Sequence, residues 1–300
     1  MTDDTLSIRP ARPEDREAVV AMVATVWGGT DYVPEVWDEW LADESGPLLV
    51  GELGGQPVAL AKLTSLGEGE DWFEGLRIAP EQRGRGLARA MVRYCTELSR
   101  ERGMRVLRFT SNIRNPTMHR LADDLGFRLC YIAPWYNTTA LPNEPTTDEE
   151  HSSPEAQPNT QHATLQTLAE DRLGDLLADL ERSALLRVTG GLYSHGWTAY
   201  DLTEARLRAH LERGEVHALK GGAAWAIVPP SDWGGFWIAH AHGAPGELAR
   251  LLLALRRAPE PKEGTYLRAH LPQEPTLAAA LEAAGYTIGE HGAHFYEWKF

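Results

Sequence analysis

The residue types and spacings that could do chemistry gather in one stretch, Leu76-Arg77-Ile78-Ala79-Pro80-Glu81-Gln82-Arg83-Gly84-Arg85-Gly86-Leu87-Ala88. It reads as the end of a strand followed by the start of a long helix. The first N–H groups of a helix lack intrahelical acceptors, and the positive end of the helix dipole favours negative charge. Glycines between strand and helix let the backbone approach an anion closely, so a pyrophosphate suits these donors. The same residues also describe a tight strand-to-helix turn carrying two solvated arginines. A dinucleotide loop would follow the first strand of a parallel βαβ unit, and a Walker loop needs Gly-Lys-Ser/Thr, which is absent here.

Other reactive residues are sparse. Cys95 and Cys130 make no CxxC spacing and are too few for a disulfide framework. No neighbouring histidine or positive cluster lowers the pKa of Cys130, which argues against a nucleophile. His240 and His242 alternate onto one strand face, yet no third ligand stands at a motif spacing, so no metal is expected.

Arg83-Gly84-Arg85-Gly86-Leu87-Ala88 matches, at every fixed position, the Arg/Gln-x-x-Gly-x-Gly/Ala loop of the GNAT N-acetyltransferase superfamily, which the chain resembles over Leu6 to Ile132. The resemblance implies that backbone donors from Arg83, Gly84, Arg85, Gly86, Leu87 and Ala88 hold the pyrophosphate of acetyl-coenzyme A. It implies too that the strand carrying Leu76 and Ile78 pairs with the pantetheine amides. Asn115 falls where the family contacts the coenzyme A arm; a helix-capping asparagine before Pro116 is the alternative, and one residue could do both. Aliphatic α-amines are substantially protonated near neutral pH, so transfer to an amine calls for a base. Glu74 lies nine residues before Arg83, where several GNAT enzymes carry a glutamate that takes the amine proton through water; a solvated strand glutamate is the other reading. The tyrosine that many members use to protonate the leaving thiolate is replaced by Ala122, which leaves Tyr131, Tyr136, His119 or solvent.

Trp27-Gly28-Gly29-Thr30-Asp31-Tyr32-Val33-Pro34, with Trp37, Trp40-Leu41 and Phe73 to Pro80, is similar to the histidine N-acetyltransferase family. That likeness implies acetyl transfer to the α-amine of a small free amino acid. Trp27, Asp31 and Tyr32 would line the acceptor side, where a carboxylate can pair with an ammonium and a phenol can stack. Alternatively Gly28-Gly29 turns the chain and Asp31 caps the next helix. A different amine (polyamine, aminoglycoside or protein N-terminus) and a non-catalytic acyl-coenzyme A sensor are the competing functions.

The elements that must position these residues follow from hydrophobic periodicity. Strands are expected at 7–9, 47–53, 57–63, 72–78, 106–110 and 128–132, and helices at 13–26, 34–41, from 86 to about 102, and 116–125. The order is β-α-α-β-β-β-α-β-α-β. The second half is expected to repeat it: Pro116-Thr117-Met118 and Gly126-Phe127 recur 159 positions later as Pro275-Thr276-Leu277 and Gly285-Tyr286. Trp27 to Leu41 has a fainter echo in Trp197 to Leu207. At the second copy's loop, Ala244 and Pro245 stand for Arg85 and Gly86, so that copy loses a basic residue and a backbone donor together. The fold class is therefore α/β, two GNAT-like mixed-sheet domains in tandem with the second degenerate: residues 1–140 and 163–300, joined by an acidic Pro/Thr/Ser linker at 141–162. Trp197, Trp225, Trp233, Trp237 and Trp298 are assigned to packing.

Composition bounds the function. With 29 Lys and Arg against 43 Asp and Glu, a net charge of -14 argues against a nucleic-acid partner. There is no apolar leader and no run of about 18 apolar residues, which argues against export or a membrane partner. A cytoplasmic monomer or homodimer acting on a small-molecule amine is the expectation.

Overall fold

The computed structural model describes residues 5–141, 164–231, 235–257 and 266–300. The acidic stretch 142–162, Trp233 and the side chain of Trp27 lie outside the described residues. By packing the chain divides into two compact units, one of residues 1–111, 115–129 and 295–300 and one of residues 112–114 and 130–294. That division is discontinuous in sequence, whereas the expected boundary is a single linker.

The first unit runs β1 (Ser7–Pro10), α1 (Arg16–Val23), α2 (Val33–Ala42), β2 (Leu48–Leu53), β3 (Gln56–Gly67), β4 (Glu70–Ile78), α3 (Leu87–Glu101), β5 (Val106–Asn112) and α4 (Pro116–Leu125). After it come β6 (Arg128–Thr139), β7 (Leu165–Thr167), α5 (Leu173–Arg182), α6 (Ala184–Thr189), β8 (Leu192–His195), β9 (Thr198–Asp201), α7 (Glu204–Glu212), β10 (Val216–Leu219), β11 (Trp225–Ile227), β12 (Phe236–Trp237), β13 (His240–His242), α8 (Pro245–Arg257), β14 (Tyr266–His270), α9 (Pro275–Ala283) and β15 (Thr287–Lys299). The expected order of the first half appears in full. In the second half α9 begins at Pro275, 159 positions after α4, but the hairpin β8–β9 and α7 stand between α6 and β10. The anticipated echo of Trp27 to Leu41 falls on that hairpin and α7, because Gly196 turns the chain at φ +60°. No helix among the described residues is long and apolar enough to cross a membrane.

In the first unit the strands lie in the order β1-β2-β3-β4-β5, with the end of β15 beside β5. Alternating residues divide between two helical layers, the period-2 signature of a strand buried on both faces. Leu48, Val50 and Leu60 pack with Val19, Val23 and Trp37 of α1 and α2. Leu49, Leu63, Phe73, Leu107 and Phe109 pack with Met91 and Cys95 of α3 and with Ala122 after it. Helix α4 is capped at both ends: Asn115 Oδ1 accepts the Met118 N–H at 3.1 Å, and Gly126 (φ +83°) ends it with Phe127 N–H on Ala122 O. The second unit has two cores, one of α8 and α9 leucines with Leu267 and Ala269, the other of α5 and α7 leucines with Trp225, Ile227 and Trp237.

Two features of β4 set the site. Its parallel ladder with β5 holds only Glu70 to Trp72, opposite Val106 to Arg108, and then the strands part. On its other edge, Lys62 faces Glu74 and Leu60 faces Arg77, so Gly75 and Leu76 together oppose Ala61. This is a β-bulge with glycine in the left-handed region, φ +67°. The extra residue reverses the parity of the strand. Leu76 joins Phe73 on the α3 side, while Glu74 and Arg77 share the α2 side. A Cβ at Gly75 would stand 2.7 Å from the Trp40 ring. Gly75→Ala is therefore expected to lower the unfolding free energy by roughly 2–4 kcal/mol, from the left-handed backbone and overpacking combined. Urea titration checks this; a change below about 0.5 kcal/mol would mean that the bulge relaxes freely.

Candidate active site

Glu74 stands half-buried on the α2 side of β4, and no hydrogen bond from the described residues reaches its carboxylate. Burial pushes its pKa up to about 7; Lys62 pulls it down, while Asp43 and Glu39 push it further up. A carboxyl group that changes charge near neutrality is suited to accept a proton there.

Around it the bulge and the start of α2 build a wall. Arg77 Nε meets Asp31 Oδ2 at 2.6 Å, with a second contact of 3.3 Å from Nη2 to Oδ1. Asp31 Oδ1 also accepts the Val33 N–H at 3.0 Å, the local turn bond that starts α2. The buried Asp31 carboxylate is thus engaged by a guanidinium and by the backbone just ahead of α2. The Arg77 guanidinium lies 5.3 Å from the Tyr32 ring centre, and the Tyr32 ring stands edge-on to Trp40 at 5.8 Å. Burial raises the Tyr32 hydroxyl to about 12, with Arg77 opposing and Glu74 contributing to the rise. Tyr32 therefore stays protonated and sits within electrostatic reach of Glu74. Trp27 lies on the helical turn Val26–Gly29 that precedes this wall.

The loop presents the geometry of an anion cradle. Gly84 and Gly86 have φ +79° and +81°, and a Cβ at either would meet nothing within 4 Å. Backbone handedness, rather than crowding, calls for glycine there. Gly86 is the N-cap of α3, and its carbonyl accepts from Ala90 N–H at 3.1 Å. The preceding N–H groups of the first turn are those without an intrahelical acceptor. Arg83 and Arg85 are exposed; Arg83 Nε donates to Ile78 O at 3.3 Å, and Arg85 bonds Gln82. Leu76 and Ile78 sit on the segment of β4 that has left β5. Asn115, exposed, caps α4 as described.

Residues 17–127 match the family model described as "Acetyltransferase (GNAT) family". They form a GNAT-family domain. Curated relatives include "Histidine N-acetyltransferase" of Oreochromis niloticus, 35% identical over 98 residues (32% of this chain, 29% of that protein), and the protein of the same name from Scomber australasicus, 34% identical over 94 residues (31% and 28%). The match thus spans under a third of the length of these relatives. Among solved structures, a GCN5-related N-acetyltransferase from Sphaerobacter thermophilus matches with TM-score 0.61 and 14% identity, covering 100% of this chain and 97% of that one. One from Kribbella flavida matches with TM-score 0.52 and 15% identity, over 98% and 72%. At these identities the structures establish the fold, a mixed α/β architecture with a second domain after the GNAT domain.

Three residues near Glu74 escaped the sequence reading: Lys62, Asp43 and Arg77 in its role as partner of Asp31. A lysine within the apolar run Val58 to Leu63 was the one local signal. Tyr296 was missed as well; it stacks on Phe109 at 5.1 Å and packs in one core with Ala122. Elsewhere, His240 is buried against Trp225, and burial drops its pKa to about 3, so it is neutral. Among the described residues no group of three His, Cys, Asp or Glu could hold a metal ion. Trp225 and Trp237 are buried in their core, Trp298 packs on Phe127 at 5.6 Å, and Trp197 lies against His270 at 4.6 Å. A depression of about 270 Å³ in the second unit is lined by Arg172, Asp175, Asp179 and Arg182, whose charges pair with one another.

Because Glu74's folded pKa of about 7 lies above its ordinary 4.5, the protonated form is favoured by folding. That contribution is complete at low pH and is lost as pH rises through about 7. Glu74→Gln, which cannot ionise, should gain stability relative to the parent between these values and level off above them. Chemical denaturation across pH reads the difference, and a pH-independent gap would mean that Glu74 titrates as a solvated carboxylate. For the Asp31–Arg77 pair, a double-mutant cycle with Asp31→Asn and Arg77→Met should return a coupling of roughly 1–3 kcal/mol.

Proposed function

We propose that the chain is an acetyl-coenzyme A-dependent N-acetyltransferase that moves the acetyl group directly to a primary amine, the α-amine of a small free amino acid such as histidine. The observation that carries this reading is the meeting, on one strand, of a carboxyl poised near neutrality with a backbone edge that has parted from its neighbour, one turn before a glycine-rich helix start. The edge of β4 at Leu76 and Ile78, parted from β5, suits the amides of a pantetheine arm, as a strand edge suits an added strand. The N–H groups from Arg83 to Ala88 suit its pyrophosphate, and Asn115 would touch the arm while capping α4. The named relatives support histidine as the first acceptor to test.

In this reading Glu74 takes a proton from the ammonium through water, and the freed nitrogen lone pair attacks the thioester carbonyl carbon. The C–N bond forms, the C–S bond breaks with its electron pair leaving on sulfur, and the nitrogen gives up its second proton to the departing thiolate or to solvent. A thiolate is a tolerable leaving group near neutrality, since thiols titrate near 8.5, so Ala122 need not supply an acid. Tyr32 would face the acceptor, with Asp31 acting through Arg77 rather than as a free anion; Trp27 is an acceptor-side residue only by the family likeness. The second unit would bind no coenzyme A, because Pro245 opens α8 without an N–H to donate.

Calorimetry with acetyl-coenzyme A is expected to give one site per chain, and Gly86→Pro to abolish it, since proline cannot adopt φ +81°. Two equal sites, or retained affinity in the variant, would place the pyrophosphate elsewhere. Thiol release should be fastest with histidine in a panel of free amino acids, polyamines, aminoglycosides and peptides, and Glu74→Gln should slow it roughly 100-fold. A polyamine or peptide outrunning every amino acid would overturn the acceptor assignment.

A further inference from the structure

A wholly buried lysine stands opposite Glu74 in the β3–β4 ladder. This residue, Lys62 of β3, is fully inaccessible, in a stretch where the flanking residues are apolar. Its Nζ donates to Asp43 Oδ2 at 2.6 Å, Gly46 O at 2.7 Å and Leu63 O at 3.0 Å. Three donors meet three acceptors, so the charge has a fixed place. The two carbonyls converge because Gly46 packs directly on the Leu63 backbone, where a Cβ would come within 2.2 Å of Leu63 O. Asp43 is held in turn by the N–H and hydroxyl of Ser45, at 2.9 and 2.8 Å. Burial alone would raise its carboxyl, but Lys62 and Ser45 keep it below the ordinary range, hence ionised.

Burying an ammonium is costly, and an apolar side chain would fill the same space without that cost. The arrangement calls for a purpose beyond packing. We propose that Lys62, locked by Asp43, is a positioning residue that sets the proton affinity of Glu74. This rests on the reading of Glu74 as the proton acceptor. The groups facing Glu74 are Lys62 from β3, Asp43 and Glu39 from the α2 side, and Tyr32 ahead of α2; Arg77, beyond the bulge, is engaged by Asp31. Lys62 is the cation that opposes burial, and Asp43 offsets part of its pull. Removing the two charges must therefore move Glu74 in opposite directions, which loss of packing alone would not do.

The test uses the full chain labelled with side-chain ¹³C-glutamate, the Glu74 signal being assigned by its loss in Glu74→Gln. Carboxyl titration by NMR, without substrate, reads the midpoint. Lys62→Met is expected to raise it by roughly one pH unit and Asp43→Asn to lower it by roughly half a unit. Unchanged midpoints, or shifts of the same sign, would overturn the proposal. Should Lys62→Met fail to fold, Asp43→Asn decides alone: a fall supports the proposal, and no change or a rise overturns it. The pH–rate profile of each folded variant separates the two levels. NMR midpoints that move oppositely while the kinetic midpoint stays put would refute Glu74 as the proton acceptor and leave its tuning by Lys62 intact.

Discussion

Gly75 and Leu76 stand opposite a single residue of β3, and the geometry of the site depends on that mismatch. An unbulged strand would send Glu74 and Leu76 to the same face and Arg77 to the other. With one extra residue, Leu76 turns into the α3 core, and Glu74 and Arg77 emerge together beneath α2. The Trp40 ring occupies the space that a side chain at 75 would need, so strand and helix specify each other. The bulge lies on the same strand segment that has left β5, which places a carboxyl beside a backbone edge parted from its neighbour.

The closed end of the β4–β5 fork is held by buried charges. Buried Glu70 pairs with Arg108 and Arg105 at 2.7 Å each, and Arg108 reaches Glu297 at 3.4 Å. Asp71, next along β4, accepts from Ser99 of α3 at 2.7 Å. Buried ion pairs of this kind add little net stability compared with apolar packing, but breaking one partner is expensive, so they fix which strands meet and where. Beyond Trp72 no such pairs cross from β4 to β5 among the described residues. Charge thus sets where the fork begins, and the bulge sets what faces into it.

The parts legible in the sequence are those decided locally. Glycine at 84 and 86 answers to backbone handedness, and Asn115 before Pro116 to a helix start, so both could be read from a few neighbouring residues. The order of elements in the first half followed from periodicity alone. What stayed hidden depends on partners distant in sequence. Arg77 lies 46 positions from Asp31, and Lys62 lies 19 from Asp43. The parity change at Gly75 is visible only once β3 is laid beside β4, and the β8–β9 hairpin has no counterpart in the first half from which to infer it. Strand β6 continues to Thr139, past the residue where its apolar pattern weakens, because β14 pairs with its far end at Trp135 to Thr139.

In the proposed function, the parted edge of β4 and the Gly84–Gly86 helix start together receive acetyl-coenzyme A. Amide hydrogen exchange, followed by mass spectrometry with and without acetyl-coenzyme A, tests it most directly. Slowed exchange is expected at Phe73 to Ile78 and at Gly84 to Ala88, with the start of α8 around Gly246 and Glu247 unaffected. Protection centred on α8, or none on either segment of the GNAT domain at saturating ligand, would contradict it.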